Sequence, residues 1–306
     1  MSKRSLDKEF LDDLDNGILC GLVERIKRDS TLDLQFRGNY INVYYRGGAI
    51  LKLEKKKDFY HASFDENYFE KDKKVIFKNE VITSEDMQSW IEQLPFIKQA
   101  RDFHYDTKNT AERDFQQLIV RSNNYENTSN SSEFFITDME YSGIGKIDLL
   151  GLEWSSSKRS SNSLQTKFAF IEVKFGNGAV KGTSGLKKHI EDIQEFVSEP
   201  RDKYIKLVED TVEVFKQKRQ LGLYKLGTNE NEINLEHIEY TKPYFIVILA
   251  DYKIKKDNLI VLLEELKIVE SSKLDVRFAT SSLMGYGLYS DNLLTVDELL
   301  ELLSTK

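Results

Sequence analysis

Three charged residues lie in two segments that are otherwise apolar. Asp148 stands in the segment IDLLGL, and Glu172 and Lys174 stand in the segment FAFIEVKF. Both segments are typical of β-strands, in which residues two apart point to the same face, so Glu172 and Lys174 are predicted to share one face. A carboxylate or an ammonium among apolar side chains is costly to desolvate unless it is paired or bound to a metal ion. The three side chains are therefore predicted to form a charged site inside the fold.

The residue types at this site favour a hard divalent cation. Mg²⁺ takes oxygen ligands, usually one or two carboxylates together with waters and phosphate oxygens. Asp148 and Glu172 on neighbouring strands are the candidate carboxylates, and the main-chain carbonyl of Val173 is a third candidate oxygen. Lys174, beside the cation, is expected to orient or deprotonate an attacking water and to offset charge on a phosphate.

The two segments form a motif with a recognisable order. GKID at 145–148 followed by IEVK at 171–174 resembles the PD-(D/E)XK nuclease superfamily, the restriction-endonuclease-like proteins. In that superfamily an Asp on one core strand is followed by a Glu-x-Lys on the next, and the upstream helix often supplies a Glu. Glu112 in TAERDFQQLI matches that helix position, whereas Ile147 stands where the motif has Pro.

The resemblance covers about residues 109–252 and carries expectations about the site. It implies that Asp148 and Glu172 bind Mg²⁺ or Mn²⁺, that Lys174 is the catalytic lysine and that Glu112 is an auxiliary ligand. A Glu in the first helical turn also favours the helix dipole whatever its function, so the role of Glu112 has a structural alternative.

The order of predicted elements indicates an α/β fold. A helix that begins near Thr110 is followed by three strands, a helix and a strand, which points to an α/β sandwich around a mixed sheet. This order fits the restriction-endonuclease-like core, so residues 109–306 are predicted to form a nuclease domain. The Ser-rich segment 155–165 between the second and third strands is predicted to be a loop too polar to pack.

Residues 1–108 are predicted to form a small N-terminal α+β domain for recognition or oligomerisation. Apolar spacing indicates one helix over residues 5–28, Gly47-Gly48 indicates a hairpin, and Ser84 is the expected N-cap of a later helix. Aromatic and basic residues in the hairpin form either a base-stacking surface or ordinary strand packing. They are Tyr40, Tyr44, Tyr45 and Arg46.

The segment FGNGAVKGTSGLKKHIEDI at 175–193 is a candidate phosphate-binding site. It is glycine-rich and basic and leads into a helix, whose first N–H groups favour anions. The candidate nucleic-acid-binding residues are Lys181, Ser184, Lys187 and Lys188. The alternative is a flexible loop with a Ser N-cap. His189 either approaches the site or is structural, and Gln116 and Gln117 are possible neighbours of the site.

Composition and charge bear on the partner, the compartment and the kind of metal site that the chain is expected to have. The 306 residues carry a net charge of −7, but residues 143–188 hold eight basic and three acidic residues, which is compatible with one basic face on an acidic body. The N-terminal MSKRSLDKEFLDDLDN lacks the apolar core of a signal peptide, and the chain is expected to be cytoplasmic. Cys20, the single cysteine, is predicted to be a buried small residue. The four histidines lack ligand spacing, which argues against a zinc site.

These patterns favour one function and leave alternatives open. The favoured function is a Mg²⁺-dependent endonuclease acting on DNA; the resemblance implies a role in restriction or anti-phage defence and a homo-oligomer. The alternatives are an RNA-cleaving effector and a non-catalytic binding or scaffolding module on the same fold. A structural alternative also exists, in which Asp148, Glu172 and Lys174 are the exposed face of an edge strand.

Overall fold

The computed structural model describes most of the chain as two compact units. The described residues are 3–68, 78–107, 111–125, 131–161, 164–175, 185–198, 201–224, 231–250, 273–280 and 293–304, with the single positions 260, 263, 264, 288 and 290. The first unit contains Ser2–Gln117 and Glu213–Lys225, and the second contains Leu118–Val212 and Leu226–Lys306. The predicted boundary at 108/109 and the predicted helix cap at Thr110 lie outside the described residues.

The described part of the first unit is an antiparallel sheet of five strands with three helices. The strands follow one another in chain order across the sheet. They are β1 (Leu32–Phe36), β2 (Tyr40–Tyr45), β3 (Gly48–Lys55), β4 (Tyr60–Ser63) and β5 (Glu80–Val81). The helices are α1 (Lys8–Asp15), α2 (Cys20–Arg28) and α3 (Ser84–Thr107). Apolar residues of α1 and α2 such as Phe10, Leu22 and Ile26 are buried, as their spacing predicts.

The single helix predicted over residues 5–28 is wrong, because two helices occupy this range. The backbone N–H groups of Asn16 and Gly17 both donate to the carbonyl of Asp12, which ends α1. Asn and Gly have low helix propensity, and together they favour a helix end. Cys20 begins α2 and is half-buried, so its predicted burial is also wrong.

One hairpin turn and one helix N-cap each differ from prediction by one residue. The β2–β3 hairpin turns at Arg46-Gly47, with φ of 47° and 66°, instead of at Gly47-Gly48. Two positive φ values are typical of the type I′ turn that matches strand twist. The N-cap of α3 is Thr83 instead of Ser84: its hydroxyl accepts from Asp86 N at 3.2 Å, and the Asp86 carboxylate accepts from Thr83 N at 3.0 Å. Asp86 thus completes a capping box in place of Glu.

The second unit contains a mixed sheet, as predicted. Its strands are β6 (Phe134–Tyr141), β7 (Ile147–Glu153), β8 (Thr166–Phe175), β9 (Ile238–Ala250) and β10 (Asp275–Thr280). β6, β7 and β8 are antiparallel neighbours, whereas β8, β9 and β10 are parallel, so β8 is the central strand. The remaining helices of the chain are α4 (Ala111–Asn124), α5 (Leu186–Ser198), α6 (Arg201–Gln220) and α7 (Val296–Ser304), of which α4 and α6 are each divided between the two units. The mixed α/β class is confirmed.

The Ser-rich segment between β7 and β8 is predicted to be too polar to pack, but Ser155, Arg159 and Leu164 are buried, while most of its other described residues are exposed. Arg159 is 2% exposed and donates from Nε to the carbonyl of Trp154 at 2.8 Å. Its guanidinium lies 4.6 Å from the centre of the Trp154 ring, and its carbonyl accepts from Asn231 N at 2.6 Å. Arg159 therefore anchors this segment against the end of the sheet.

The helices that the structure describes show no candidate membrane span, because each is either too short or too polar to cross a bilayer.

Candidate active site

The pairing of β7 with β8 sets Asp148 beside Glu172. Leu149 pairs with Ile171 and Leu150 with Phe170, so one step further along the same antiparallel register Asp148 stands opposite Glu172. Residues directly opposite on neighbouring strands project from the same face of the sheet. The Oδ2 atom of Asp148 also accepts a hydrogen bond from Val173 N at 2.8 Å. The two predicted carboxylates therefore lie together and are held by the backbone of β8.

Glu172 and Lys174 form a buried ion pair in the middle of the sheet. Lys174 Nζ lies 2.6 Å from Glu172 Oε1, and the two residues are 5% and 4% exposed. β8 has a hydrogen-bonded strand on each side. The alternative of an exposed face on an edge strand is therefore wrong, since the charges are buried on the central strand.

An aromatic cluster continues the face of β8 that carries Glu172. Phe168 and Phe170 point to the same face of β8 as Glu172, because they lie four and two residues before it. Tyr204 of α6 packs on both rings, with centroids 6.0 and 6.4 Å away. These rings make the face of the sheet apolar on the side of Glu172 that lies away from Lys174.

The two oxygens of the Glu172 carboxylate have unequal surroundings. Oε1 contacts Lys174 Nζ and also lies 3.3 Å from His189 Nε2 of α5. Oε2 is buried and has no hydrogen-bond partner among the described residues. A buried acceptor left without a partner costs about 1–3 kcal/mol, more if charged, so this oxygen is suited to a ligand.

The donor set fits a hard divalent cation that keeps several waters. Asp148 and Glu172 supply two carboxylates, the number that Mg²⁺ commonly takes from a protein. Within the described ranges, no group of three or more His, Cys, Asp or Glu side chains is arranged to hold a metal ion. Glu112 is exposed in the first turn of α4 and belongs to the first unit. Its role as an auxiliary ligand and that of the Val173 carbonyl stay predictions.

The predicted phosphate-binding residues are only partly described. Lys181 and Ser184 lie outside the described residues. Lys187 is exposed, and Lys188, also exposed, pairs with Asp192 one helical turn later. The hydrogen bond that Lys188 donates to the Asp192 carboxylate raises the pKa of Lys188 above its ordinary value. Lys187 is thus the better placed of the two described lysines to meet an anion.

The basic window 143–188 does not form a single basic face. Arg159 and Lys174 are buried, and Lys167 lies 3.5 Å from Glu239 at the opposite end of β8 from the site. Among the described residues of this window, the exposed cations at the end of the sheet that holds the site are Lys146, Lys187 and Lys188, the last of which pairs with Asp192. The positive charges of this window therefore have separate places: Arg159 is a buried anchor, Lys174 belongs to the site, and the exposed lysines lie at separate surface positions.

Two sets of residues near the hairpin serve packing in the first unit. Gln117 accepts from Gly47 N at 2.7 Å and donates to the carbonyls of Thr31 and Tyr44, so it holds the hairpin instead of lining the site. Tyr44 is buried, and the Tyr45 hydroxyl donates to Asp102 at 3.1 Å. Arg46 pairs with Asp102 and Lys52 lies over the Tyr40 ring. These contacts favour the strand-packing interpretation of the hairpin.

His189 is a neighbour of the site whose role the sequence pattern left open between a site residue and a structural one. Leu186, Ile190, Ile193 and Val197 are the buried residues of α5. His189 lies three residues after Leu186 and directly before Ile190, so the helical spacing places it at the border of the buried face. Its side chain is 14% exposed.

Comparison with protein-family models, with curated proteins and with solved structures found no match for this chain. The chemistry of the site is therefore inferred from its own residues: two buried carboxylates, a buried lysine and a nearby histidine.

Proposed function

We propose that this chain is a metal-dependent nuclease that hydrolyses phosphodiester bonds, with Asp148, Glu172 and Lys174 as its catalytic residues. One observation carries the proposal. The two carboxylates and the lysine are buried together on neighbouring strands, and Oε2 of Glu172 has no hydrogen-bond partner among the described residues. A purely structural ion pair would be expected to satisfy both oxygens of a buried carboxylate.

Asp148 and Glu172 would hold Mg²⁺ or Mn²⁺. Carboxylate oxygens are the ligands that these hard cations prefer, and the buried Oε2 is an acceptor suited to one. A cation bound there would supply positive charge that stabilises the charge developing on the phosphate during the reaction.

The residues of the chain have distinct tasks in hydrolysis. A water oxygen forms a bond to phosphorus while the bond from phosphorus to one ester oxygen breaks, which leaves a phosphate monoester and a hydroxyl group. Lys174 orients this water and offsets negative charge on the phosphate: its ammonium lies at the site, 2.6 Å from Glu172 Oε1, on a stem that lets it reach toward both. Asp148 is kept in place by the hydrogen bond from Val173 N at 2.8 Å.

The nuclease class rests on the resemblance of GKID and IEVK to PD-(D/E)XK enzymes. The order α4, β6, β7, β8, α5, α6, β9 supports that resemblance, with α6 as an addition to the expected restriction-endonuclease-like core. DNA is the favoured substrate, and RNA is the alternative to be tested beside it. A defence role and a homo-oligomer stay predictions of the resemblance.

The test is cleavage of supercoiled plasmid and of a labelled single-stranded RNA, with Mg²⁺ or Mn²⁺ and with EDTA. The expected result is nicking that requires the metal and that falls at least about a hundredfold in Asp148→Asn and Glu172→Gln. Lys167→Met is the matched control, because Lys167 lies on the same strand outside the site, and it should cleave like the parent chain. Cleavage that survives EDTA, or that both site variants retain, would contradict the proposal. Absence of cleavage with either metal on either substrate would favour the non-catalytic alternative.

A further inference from the structure

His189 contacts the site from a helix that follows the catalytic strand. It stands in the first turn of α5, and its Nε2 lies 3.3 Å from Oε1 of Glu172. The same oxygen receives Lys174 Nζ at 2.6 Å. Two nitrogen donors therefore meet on one oxygen of the carboxylate, while the other oxygen has no hydrogen-bond partner among the described residues.

The two donors differ in what they can do during a reaction. Lys174 ends a flexible stem of four carbons, and in the proposed mechanism its ammonium turns toward water and phosphate. While it does so, it no longer fixes the Glu172 carboxylate. The imidazole of His189 has only two side-chain torsions and is mostly buried at 14% exposure, so it keeps its position on α5. A donor of this kind holds a ligand carboxylate in one orientation.

We propose that His189 is a positioning residue of this site: it donates a hydrogen bond from Nε2 to Oε1 of Glu172 and thereby turns Oε2 toward the divalent cation. The inference rests on the proposed function, because it assigns the orientation of a carboxylate that holds the metal. It adds a residue from α5 to a site otherwise built from β7 and β8.

The alternative is that His189 only fills space at the start of α5. A space-filling residue would be replaced well by an apolar side chain of similar size, and the replacement would leave metal affinity unchanged. A positioning residue would be replaced well only by a side chain that carries a donor nitrogen to the same place. His189→Leu and His189→Gln separate these two roles, because Gln brings an amide nitrogen to about the reach of Nε2 and Leu brings none.

The test is titration of the full chain with Mn²⁺ by isothermal calorimetry, together with the kcat and KM of plasmid cleavage. His189→Leu should bind Mn²⁺ roughly 10- to 100-fold more weakly, the usual effect of removing a group that orients a metal ligand. His189→Gln should stay within about threefold of the parent chain, since its amide restores the hydrogen bond. His189→Asn, whose amide is too short to reach Glu172, should behave like His189→Leu and provides a polar variant if the apolar one does not fold. The weaker binding of Mn²⁺ in His189→Leu and His189→Asn should lower kcat more than it raises the KM for DNA.

Two controls separate a failure of this inference from a failure of the proposed function. His61→Leu removes a histidine of β4 in the other unit and should leave Mn²⁺ binding unchanged. Glu172→Gln should lose Mn²⁺ binding. If Glu172→Gln loses binding while His189→Leu and His189→Asn both bind like the parent chain, the positioning role is refuted and the metal site stands. If Glu172→Gln binds Mn²⁺ like the parent chain, the metal site itself is refuted, and the role of His189 with it.

Discussion

Replacing Lys174 by Met removes one partner of a buried ion pair and should destabilise the second unit. Lys174 Nζ and Glu172 Oε1 are 2.6 Å apart, and their side chains are 6% and 5% exposed. Methionine has a similar length but no charge, so the Glu172 carboxylate would stay buried opposite Asp148, with His189 Nε2 still 3.3 Å from its Oε1. Removing one partner of such a pair costs about 3–5 kcal/mol, because the other charge is left uncompensated.

The lower end of this range, about 3 kcal/mol, is the better expectation, since His189 offers partial compensation. For a unit of this size each kcal/mol lowers the unfolding midpoint by about 2–4 °C, which gives a decrease of roughly 6–12 °C. Replacing both partners removes the charge as well as its counterion. The variant Glu172→Gln with Lys174→Met should therefore be about 2 kcal/mol more stable than Lys174→Met alone.

The assay uses the two tryptophans of the chain, one in each unit. Trp90 belongs to the first unit and Trp154 to the second. In a Trp90→Phe background, urea unfolding followed by fluorescence reports the surroundings of Trp154 and hence the second unit. Each variant is compared with its parent in this background, so the cost of Trp90→Phe cancels.

The matched control is Lys167→Met on the same strand. Lys167 is 22% exposed, and its Nζ lies 3.5 Å from Glu239 and 3.9 Å from Asp275, so its ion pairs are longer and more solvated than that of Lys174, and their loss should cost less, about 1 kcal/mol. The reasoning is refuted if Lys174→Met unfolds within about 0.5 kcal/mol of its parent, or if the double variant is the less stable of the two.

Two further predictions concern the first unit. Gly47 has φ +66°, and an added Cβ would lie 2.3 Å from the carbonyl carbon of Arg113, so Gly47→Ala should destabilise this unit by more than about 1 kcal/mol in urea unfolding followed by Trp90; an unchanged midpoint would contradict the turn geometry. Burial opposes ionisation of Asp29, but hydrogen bonds from Thr31 and Lys98 lower its pKa below the ordinary 3.8. The stabilisation from Asp29 should therefore be complete above that ordinary pKa and should be lost as the pH falls below it. Asp29→Asn should flatten this part of the pH–stability curve, and a parallel curve for the variant would refute the assignment.

Local patterns in the sequence predicted the strands and the charged pair well. β8 covers the predicted segment TKFAFIEVKF, and alternation along it placed Glu172 and Lys174 on one face. These features depend on residues close in sequence, where apolar periodicity and turn propensity act directly. The hairpin and the N-cap at Thr83 were each displaced by one residue, because neighbouring polar residues compete for the same turn position.

Features that depend on distant partners could not be predicted in this way. Arg159 lies in a Ser-rich stretch that is typical of a loop, yet it is buried. Trp154 supplies a carbonyl acceptor and a ring for its guanidinium, and Asn231 N donates to its carbonyl. The approach of His189 to Glu172 depends on how α5 packs on the sheet, and helical spacing alone gave two interpretations. Gln117 was a possible site neighbour by spacing, but Gly47 and Thr31 determine its hydrogen bonds.

The measurement that tests the central claim most directly is cleavage of supercoiled plasmid in Mg²⁺ by the parent chain, by Lys174→Met and by Lys167→Met. Both variants lose one lysine of β8, but only Lys174 contacts Glu172, at 2.6 Å. The expected result is metal-dependent nicking by the parent chain and Lys167→Met, with a loss of at least about a hundredfold in Lys174→Met. Equal nicking by all three proteins, or nicking that persists in EDTA, would contradict the assignment of this site.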